Sequence, residues 1–312
     1  MNVRSVRYKP GGGVELVDVE VGDPSPMQVQ VEGAACGICS WDIQTSRVGS
    51  DASFAAPPGH EGVGYVSKIG PGVEGIEIGQ RVAGGGFARL RNVSVSQVYP
   101  IPTSQRKDVH WIVEPASCVV TGIDQCQLQI GERLALIGCG FMGLMMLQVL
   151  AGMGCAQLVA LDVDDGRLAL AKEMGADEVY NVSQEGFAAV KDDLKKRDID
   201  VVVDTSGAQE GLDLAADLAR RGGRINLFGW IKGERAYFNP SLWHTRGLTV
   251  VNSAPAARLR DPFPAAISLI DRGVIDLVPL VTHVLPLQAY PEFMRQLVSG
   301  KIDGYIKGVV TL

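Results

Sequence analysis

The stretch Arg133 to Gly143, RLALIGCGFMG, decides the fold. Its apolar run Leu134 to Ile137 has the unbroken character of a strand buried on both faces. Gly138, Gly140 and Gly143 follow at once in the spacing G-x-G-x-x-G, with Phe141 and Met142 inside the turn. From Met142 to Met153 apolar residues recur three and four apart, the period of a helix. A strand, a glycine turn and a helix in that order make a phosphate site. The first glycine permits the tight turn, the second lets the backbone approach a pyrophosphate, the third lets helix pack on strand, and the helix N-terminus attracts the anion. Such a site calls for an acidic residue about 20 positions on, at the tip of the next strand, to hold the ribose hydroxyls. Leu158 to Leu161 reads as that strand, and Asp162 ends it, nineteen residues beyond Gly143. Glycines serving only a turn would leave Asp162 unexplained, so the segment predicts dinucleotide binding. A carboxylate at 162 repels the 2′-phosphate of NADP, and Asp164 and Asp165 add to the repulsion, which selects NAD. Arg167 stands behind these three carboxylates and reads as packing over the adenine.

Working outward, the same alternation continues. Val201 to Val203, Ile225 to Phe228 and Leu248 to Val251 are further short apolar runs, and Arg167 to Met174 and Leu212 to Arg220 carry helical spacing. From about residue 120 the chain is therefore expected to form a parallel sheet flanked by helices, an α/β fold. Upstream, Met27 to Glu32 (MQVQVE) and Asn92 to Val98 (NVSVSQV) alternate as antiparallel strands do. Seven glycines between Gly59 and Val82, with Gly84 and Gly85 just beyond, suit the tight turns of a small barrel. Residues 1 to about 110 thus read as all-β. Downstream, two helical segments, Pro264 to Arg272 and Tyr290 to Ser299, precede a final strand, Ile306 to Leu312.

At 312 residues the chain is long enough for two domains with sizeable cores. With 46% hydrophobic and 21% charged residues and a mean hydropathy of +0.13, it is neither disordered nor collagen-like, despite 38 glycines. Lys and Arg number 29 against 35 Asp and Glu, a net charge of −6 with no long basic run, which argues against nucleic acid as a partner. The opening MNVRSVRYKPGGGVELVDVE lacks the apolar core of a secretory signal. The longest apolar stretch, Phe141 to Ala151, is interrupted by Gly143 and Gln148 and is too short to span a bilayer. Six irregularly spaced cysteines (Cys36, Cys39, Cys118, Cys126, Cys139, Cys155) do not make a disulfide scaffold. A cytoplasmic protein without a membrane partner is expected.

A second motif lies upstream. Gly59-His60-Glu61, followed by Gly64, Gly70 and Val73, completes G-H-E-x2-G-x5-G-x2-V. Gly37-Ile38-Cys39, Gly79-Gln80-Arg81-Val82, Gly86-Phe87-Ala88 and Glu114-Pro115 accompany it, with the dinucleotide unit in second position. Over nearly its whole length the chain resembles the zinc-dependent medium-chain dehydrogenases, the superfamily of alcohol, polyol and threonine dehydrogenases. The resemblance implies a GroES-like β-rich catalytic domain, residues 1–120 plus 256–312, and a Rossmann domain with a doubly wound parallel sheet, residues 121–255, that binds NAD. It implies Cys39, His60 and Glu114 as ligands of a catalytic zinc, with Glu61 either a fourth ligand or a partner that exchanges with water or substrate. A thiolate, an imidazole and a carboxylate leave one position of a tetrahedral zinc open. Metal there lowers the pKa of an alcohol, so that the carbinol hydride can leave toward a nicotinamide. The acidic residue at 114, where several alcohol dehydrogenases carry Cys, implies a small hydroxyl-rich substrate, a polyol, sugar or cyclitol whose secondary alcohol becomes a ketone. Thr121 would approach the nicotinamide, and Gly207, closing the run VVVDTSG, would let the cofactor pass closely; Asp204 reads equally as structural. Assembly as a homo-oligomer, a dimer or tetramer, is implied in the same way.

Two features depart from the family. Trp41 and Gln44 stand where relatives carry the Ser or Thr and the His that relay the alcohol proton, so Ser40, Thr45, a water or Glu61 must substitute. Trp41 reads either as an apolar wall for a sugar or ring substrate or as a core aromatic. Between Val82 and Phe87 only Ala83 to Gly86 stand, where many relatives insert a lobe with four cysteines on a structural zinc; one catalytic zinc per chain and no structural zinc are expected. Cys118 rivals Glu114 as third ligand on a less suitable spacing. Cys36, in C-x-x-C with Cys39, reads as packing, and His110, His244 and His283 lack ligand spacing. A metal-independent quinone or enoyl reductase of the same fold, and a non-catalytic NAD-binding protein, are the competing readings. The intact Cys39, His60, Glu61 and Glu114 argue against the first. The substrate is set by the loops Thr45 to Phe54 and Trp230 to Trp243, whose shape the sequence does not give.

Overall fold

The computed structural model of the protein describes residues 1–49, 58–231, 235–255 and 258–312. The chain folds as two units, Met1–Pro115 with Ala266–Leu312, and Ala116–Ala265. The expected cuts at 120 and 255 thus move to 115 and 265. The reason is that each junction lies inside a helix, Val113–Cys126 and Phe263–Asp271, so neither is a loop that composition would mark. Residue 256, where the second catalytic segment was expected to begin, lies outside the described residues, as do parts of both substrate loops, 50–54 and 232–234.

In the first unit β1 (Asn2–Tyr8) and β2 (Val14–Glu20) form an antiparallel pair. Then come β3 (Gln28–Gly37), α1 (Ser40–Val48), β4 (Glu61–Ile69), β5 (Arg81–Ala83), β6 (Leu90–Ser94) and β7 (Tyr99–Pro100). β3 pairs antiparallel with β4 along most of its length and with β6 on its other edge. Two expectations are corrected here. The run Asn92 to Val98 is a strand only to Ser94, and Val95–Gln97 turn as a 3-10 helix. Val93 and Val98 are buried in one cluster, yet residues five apart on a strand face opposite ways, so the strand has to break between them. The all-β reading of residues 1–110 also misses α1, which starts directly after Cys39.

The second unit follows α2 (Val113–Cys126) with β8 (Arg133–Ile137), α3 (Phe141–Ala151), β9 (Gln157–Asp162), α4 (Asp165–Glu173), β10 (Glu178–Asn181), α5 (Phe187–Leu194), β11 (Ile199–Asp204), α6 (Gln209–Leu218), β12 (Ala219–Leu227), α7 (Pro240–Arg246) and β13 (Thr249–Asn252). The six strands lie in the order β10-β9-β8-β11-β12-β13, every pair parallel. That is the doubly wound order, with the strand sequence reversing at β8. α3 is apolar nearly all round, and Leu144, Met145, Met146, Leu147 and Leu150 are fully buried. β10 and α5 escaped the sequence reading because EVYN is only half-buried and too short and polar to stand out.

The chain returns to the first unit through α8 (Phe263–Asp271), β14 (Val281–Pro286), α9 (Tyr290–Val298) and β15 (Lys307–Thr311). β15 pairs antiparallel with the end of β3, Val309 opposite Gly37, and β14 lies parallel beside β15. Val6, Tyr8, Cys36, Ile38, Phe87, Tyr290, Met294 and Val310 form one core, so both ends of the sequence meet in it. Among the described residues no helix is long and apolar enough to cross a membrane.

Candidate functional site

Strand register brings the first set of residues together. Gly37, the last residue of β3, stands opposite Glu61, the first of β4. The Ile38 N–H is held by the Gly308 carbonyl, and Cys39 is the N-cap residue of α1, at the positive end of that helix. Ligand atoms of Cys39, His60 and Glu61 consequently lie within 4.8 Å of one another. Burial around the His60 ring opposes its charged form, but a hydrogen bond with Cys39 and the charges of Glu114 and Glu61 outweigh it and push the imidazole up to about 10. A thiol, an imidazole and a carboxylate at this separation are a donor set that suits zinc. Glu114, half-buried as the second residue of α2, falls outside the trio, although its charge reaches His60. Cys118 lies one turn further along the same helix, half-buried, and is not in the trio either.

Behind the trio sit groups that the sequence reading missed. The Lys307 ammonium is 2.6 Å from Glu61 Oε2 and donates to Glu61 Oε1 at 2.8 Å and to the Ile38 carbonyl at 2.9 Å. Burial works against a charge on Lys307, and the Glu61 carboxylate overrides it, so the ammonium's pKa is raised. A Cβ on Gly37 would fall 2.0 Å from Glu61 Oε2, so only glycine leaves room for that carboxylate. Asp42, fully buried, accepts the Cys39 N–H and the Tyr8 hydroxyl, each at 2.8 Å, and Tyr8 meets the Tyr290 hydroxyl at 3.0 Å. The Asp42 bond to Cys39 is half of a capping box and fixes the first turn of α1. Burial raises the Asp42 pKa. The one sequence signal for Lys307 was a lysine opening the apolar run KGVV; for Asp42, an acidic residue three positions after Cys39.

Of the other candidates near Cys39, Ser40 is exposed on the first turn of α1 and Thr45 is buried. Trp41 is 37% exposed and meets Tyr8 edge-on, so it is not a core aromatic. Cys36 packs in the core, and burial drives its thiol pKa up. His283 packs beside Phe293 and Tyr305 and is not in the trio.

The second set gathers at the switch point of the parallel sheet. Gly138 takes φ +93° and Gly140 has nothing within 4 Å of where a Cβ would stand, while a Cβ on Gly143 would fall 2.0 Å from the Gly138 carbonyl oxygen. Turn, open approach and close packing thus fall to the three glycines in turn, which suits a pyrophosphate at the N-terminus of α3. Phe141 is buried and Met142 half-buried in its first turn. Asp162 accepts the Cys139, Val163 and Asp164 N–H groups. Asp164 caps α4 by accepting the Arg167 N–H, and the Arg167 charge reaches Cys139. Thr121 is buried and donates its hydroxyl to the Ser117 carbonyl. Gly207 has φ +62° and a Cβ there would fall 2.3 Å from the Trp230 carbonyl oxygen, so packing alone demands glycine. Asp204 is buried and accepts from the Ser206 N–H and hydroxyl, a structural role.

The zinc-binding dehydrogenase family matches residues 142–272 and the alcohol dehydrogenase GroES-like domain matches residues 25–103. The L-threonine 3-dehydrogenase of Pyrococcus horikoshii is 27% identical, with 96% of each chain covered. D-arabinitol dehydrogenase 1 of Uromyces fabae is 27% identical over 87% of each chain. Among solved structures, an Escherichia coli oxidoreductase of unknown specificity superposes with a TM-score of 0.90 at 23% identity, covering 100% of this chain and 99% of that one. A Sinorhizobium meliloti dehydrogenase bound to NADP superposes at 0.86 and 22% identity, with both chains fully covered. The architecture is therefore a GroES-like β-rich unit joined to a Rossmann unit.

Proposed function

The chain belongs to the zinc-dependent medium-chain dehydrogenases, oxidoreductases acting on CH–OH groups, and from that premise we propose that it oxidises a secondary alcohol of a polyol, sugar or cyclitol to the ketone, with NAD as acceptor and one zinc per chain. The observation that carries this reading is the Cys39–His60–Glu61 trio. Of the four residues the resemblance assigns to zinc, the trio would supply three donors, Cys39, His60 and Glu61, and Glu114, whose charge reaches His60, the fourth. Zinc there supplies a Lewis acid that lowers the pKa of the substrate hydroxyl.

The chain's own residues do the rest. Ser40, exposed beside Cys39, offers the hydroxyl that hands the alcohol proton to solvent, a role its burial denies to Thr45. The exposed face of Trp41 offers a flat apolar surface to a substrate ring. The turn at Gly138, Gly140 and Gly143 takes the pyrophosphate and Asp162 the ribose hydroxyls, while Asp164 and Asp165 disfavour a 2′-phosphate. Thr121 positions the nicotinamide. Relatives named for threonine, arabinitol and sorbitol support a small hydroxyl-bearing substrate.

The test is metal analysis of protein purified without added metal, beside the Cys39→Ser variant. One zinc per chain in the wild type, with zinc and NAD-linked polyol oxidation lost and NADH binding kept in the variant, is the expected result. Absence of zinc before and after reconstitution would overturn the mechanism.

A further inference from the structure

We propose that Arg91 is a positioning residue for His60, holding the segment that presents this ring through the carbonyl of Gly59; this rests on the zinc reading above. Arg91 lies on β6 opposite Val31 of β3, and its guanidinium Nη1 donates to the Gly59 carbonyl at 2.9 Å and to the Gly85 carbonyl at 3.4 Å. Burial works against its charge and lowers its pKa, and no carboxylate among the described residues offsets that. A half-buried cation answered only by peptide oxygens is costly, so its presence asks for a reason other than stability.

Position in the chain supplies the reason. β4 begins only at Glu61, so the ladder fixes the backbone on one side of His60 and the two residues before it must be fixed by other means. Among the described residues two hydrogen bonds do this: the Phe87 N–H donates to the Pro58 carbonyl at 2.8 Å, and Arg91 donates to that of Gly59. Both donors come from the chain just after β5. Gly84, Gly85 and Gly86 alone separate Ala83, the end of β5, from Phe87, and the Gly84 N–H is held in turn by the Gly62 carbonyl at 2.9 Å. The two segments run so close that a Cβ on Gly86 would fall 2.3 Å from Arg91 Nη1 and 2.6 Å from the Gly59 carbonyl oxygen. On Gly59, where φ is +94°, a Cβ would fall 2.7 Å from the Phe87 nitrogen. Glycines permit this approach but bring no side chain to lock it. Arg91 is the lock, one nitrogen bridging the carbonyls of both segments, and the imidazole of the next residue inherits the fixed peptide.

The experiment compares wild type with Arg91→Met, which has neither charge nor donor, and Arg91→Lys, which keeps both. In metal-free protein, amide hydrogen exchange of the peptide spanning Pro58 to Glu61 is followed by mass spectrometry. Zinc is then titrated against a chromophoric chelator, cobalt(II) is loaded for its d–d absorption, and an NADH titration checks that the second unit is intact. Arg91→Met is expected to exchange faster in that peptide, to bind zinc about tenfold more weakly and to shift the cobalt bands, with NADH affinity within twofold of wild type. Arg91→Lys is expected to restore the first three. A folded Arg91→Met with a lower Tm but wild-type exchange, zinc affinity and cobalt bands would overturn the proposal and reduce Arg91 to a stabilising residue. If Arg91→Met does not fold, Arg91→Gln, uncharged and too short to bridge the two carbonyls, is judged by the same three readings. A wild type that binds neither zinc nor cobalt overturns the zinc reading itself, and the exchange comparison in metal-free protein still decides whether Arg91 holds the segment before His60.

Discussion

Asp162, at the tip of β9, accepts the backbone N–H of Cys139, the residue between the first two glycines of the turn after β8. Its other oxygen accepts from Val163 and Asp164, so three backbone donors from two strand ends converge on one buried carboxylate. The turn and the carboxylate proposed to hold the ribose are in this way a single rigid piece.

Replacing Asp162 by Ala should do two separable things. The orphaned donors cost about 1–3 kcal/mol of stability, read as a lower Tm. Loss of a charge-assisted bond to the ribose lowers NAD affinity about 10- to 100-fold, and the NADP to NAD ratio of dissociation constants, measured by quenching of protein fluorescence, falls.

The glycines of the turn should differ sharply from one another. Gly143→Ala puts a Cβ against a backbone oxygen that cannot move aside, and the protein is expected to lose several kcal/mol or fail to fold, since such strain is among the largest single-residue effects. Gly140→Ala meets nothing in the protein. It should melt within about 1 kcal/mol of wild type and bind NADH at least tenfold more weakly, because the methyl stands where the pyrophosphate must come. Calorimetry and fluorescence titration check the pair.

Asp204 gives a pH signature. Burial raises its pKa, outweighing the Ser206 hydrogen bonds that lower it, and its Oδ2 has no hydrogen-bond partner among the described residues. A carboxyl with a raised pKa contributes its full stability below the unfolded value, about 3.9, and loses it as pH rises through the folded one. Asp204→Asn keeps an acceptor for Ser206 and has no proton to lose. Its Tm relative to wild type should therefore rise from pH 4 to pH 7, and a flat difference would exclude the buried-acid account.

On α2, Glu114 is a proposed zinc ligand and Cys118 its rival. Glu114→Ala is expected to weaken zinc binding about 10- to 100-fold, and Cys118→Ser to leave it within twofold, by chelator competition. The opposite ranking would make Cys118 the third ligand.

Periodicity made the parallel sheet legible, because strands buried on both faces, such as Leu134 to Ile137, are unbroken apolar runs. The glycine turn and the Gly59-His60-Glu61 motif were legible because their chemistry depends on near neighbours in sequence. What escaped was long-range. Lys307 lies 246 residues from Glu61, and Tyr290 lies 282 residues from Tyr8; no local pattern announces that a lysine in an apolar strand faces a carboxylate, or a tyrosine at a helix start another tyrosine's hydroxyl, so far upstream. β10 and α5 escaped for another reason, being short and only partly buried, with too few apolar residues to set a period.

The pairing of β15 with β3 also dictates an order of assembly. The second unit is one unbroken segment, Ala116–Ala265, and a ribosome can release it whole and ready to fold. The first unit has no such freedom. Until residue 307 emerges, the end of β3 from Ala35 to Gly37 lacks its partner on one edge, and Glu61 lacks its buried cation. A nascent chain at that stage carries a finished domain beside a half-built one with an open strand edge, the kind of surface that recruits stray strands. Crowded translation should therefore endanger the half that bears Cys39, His60 and Glu61 far more than the half that bears the glycine turn.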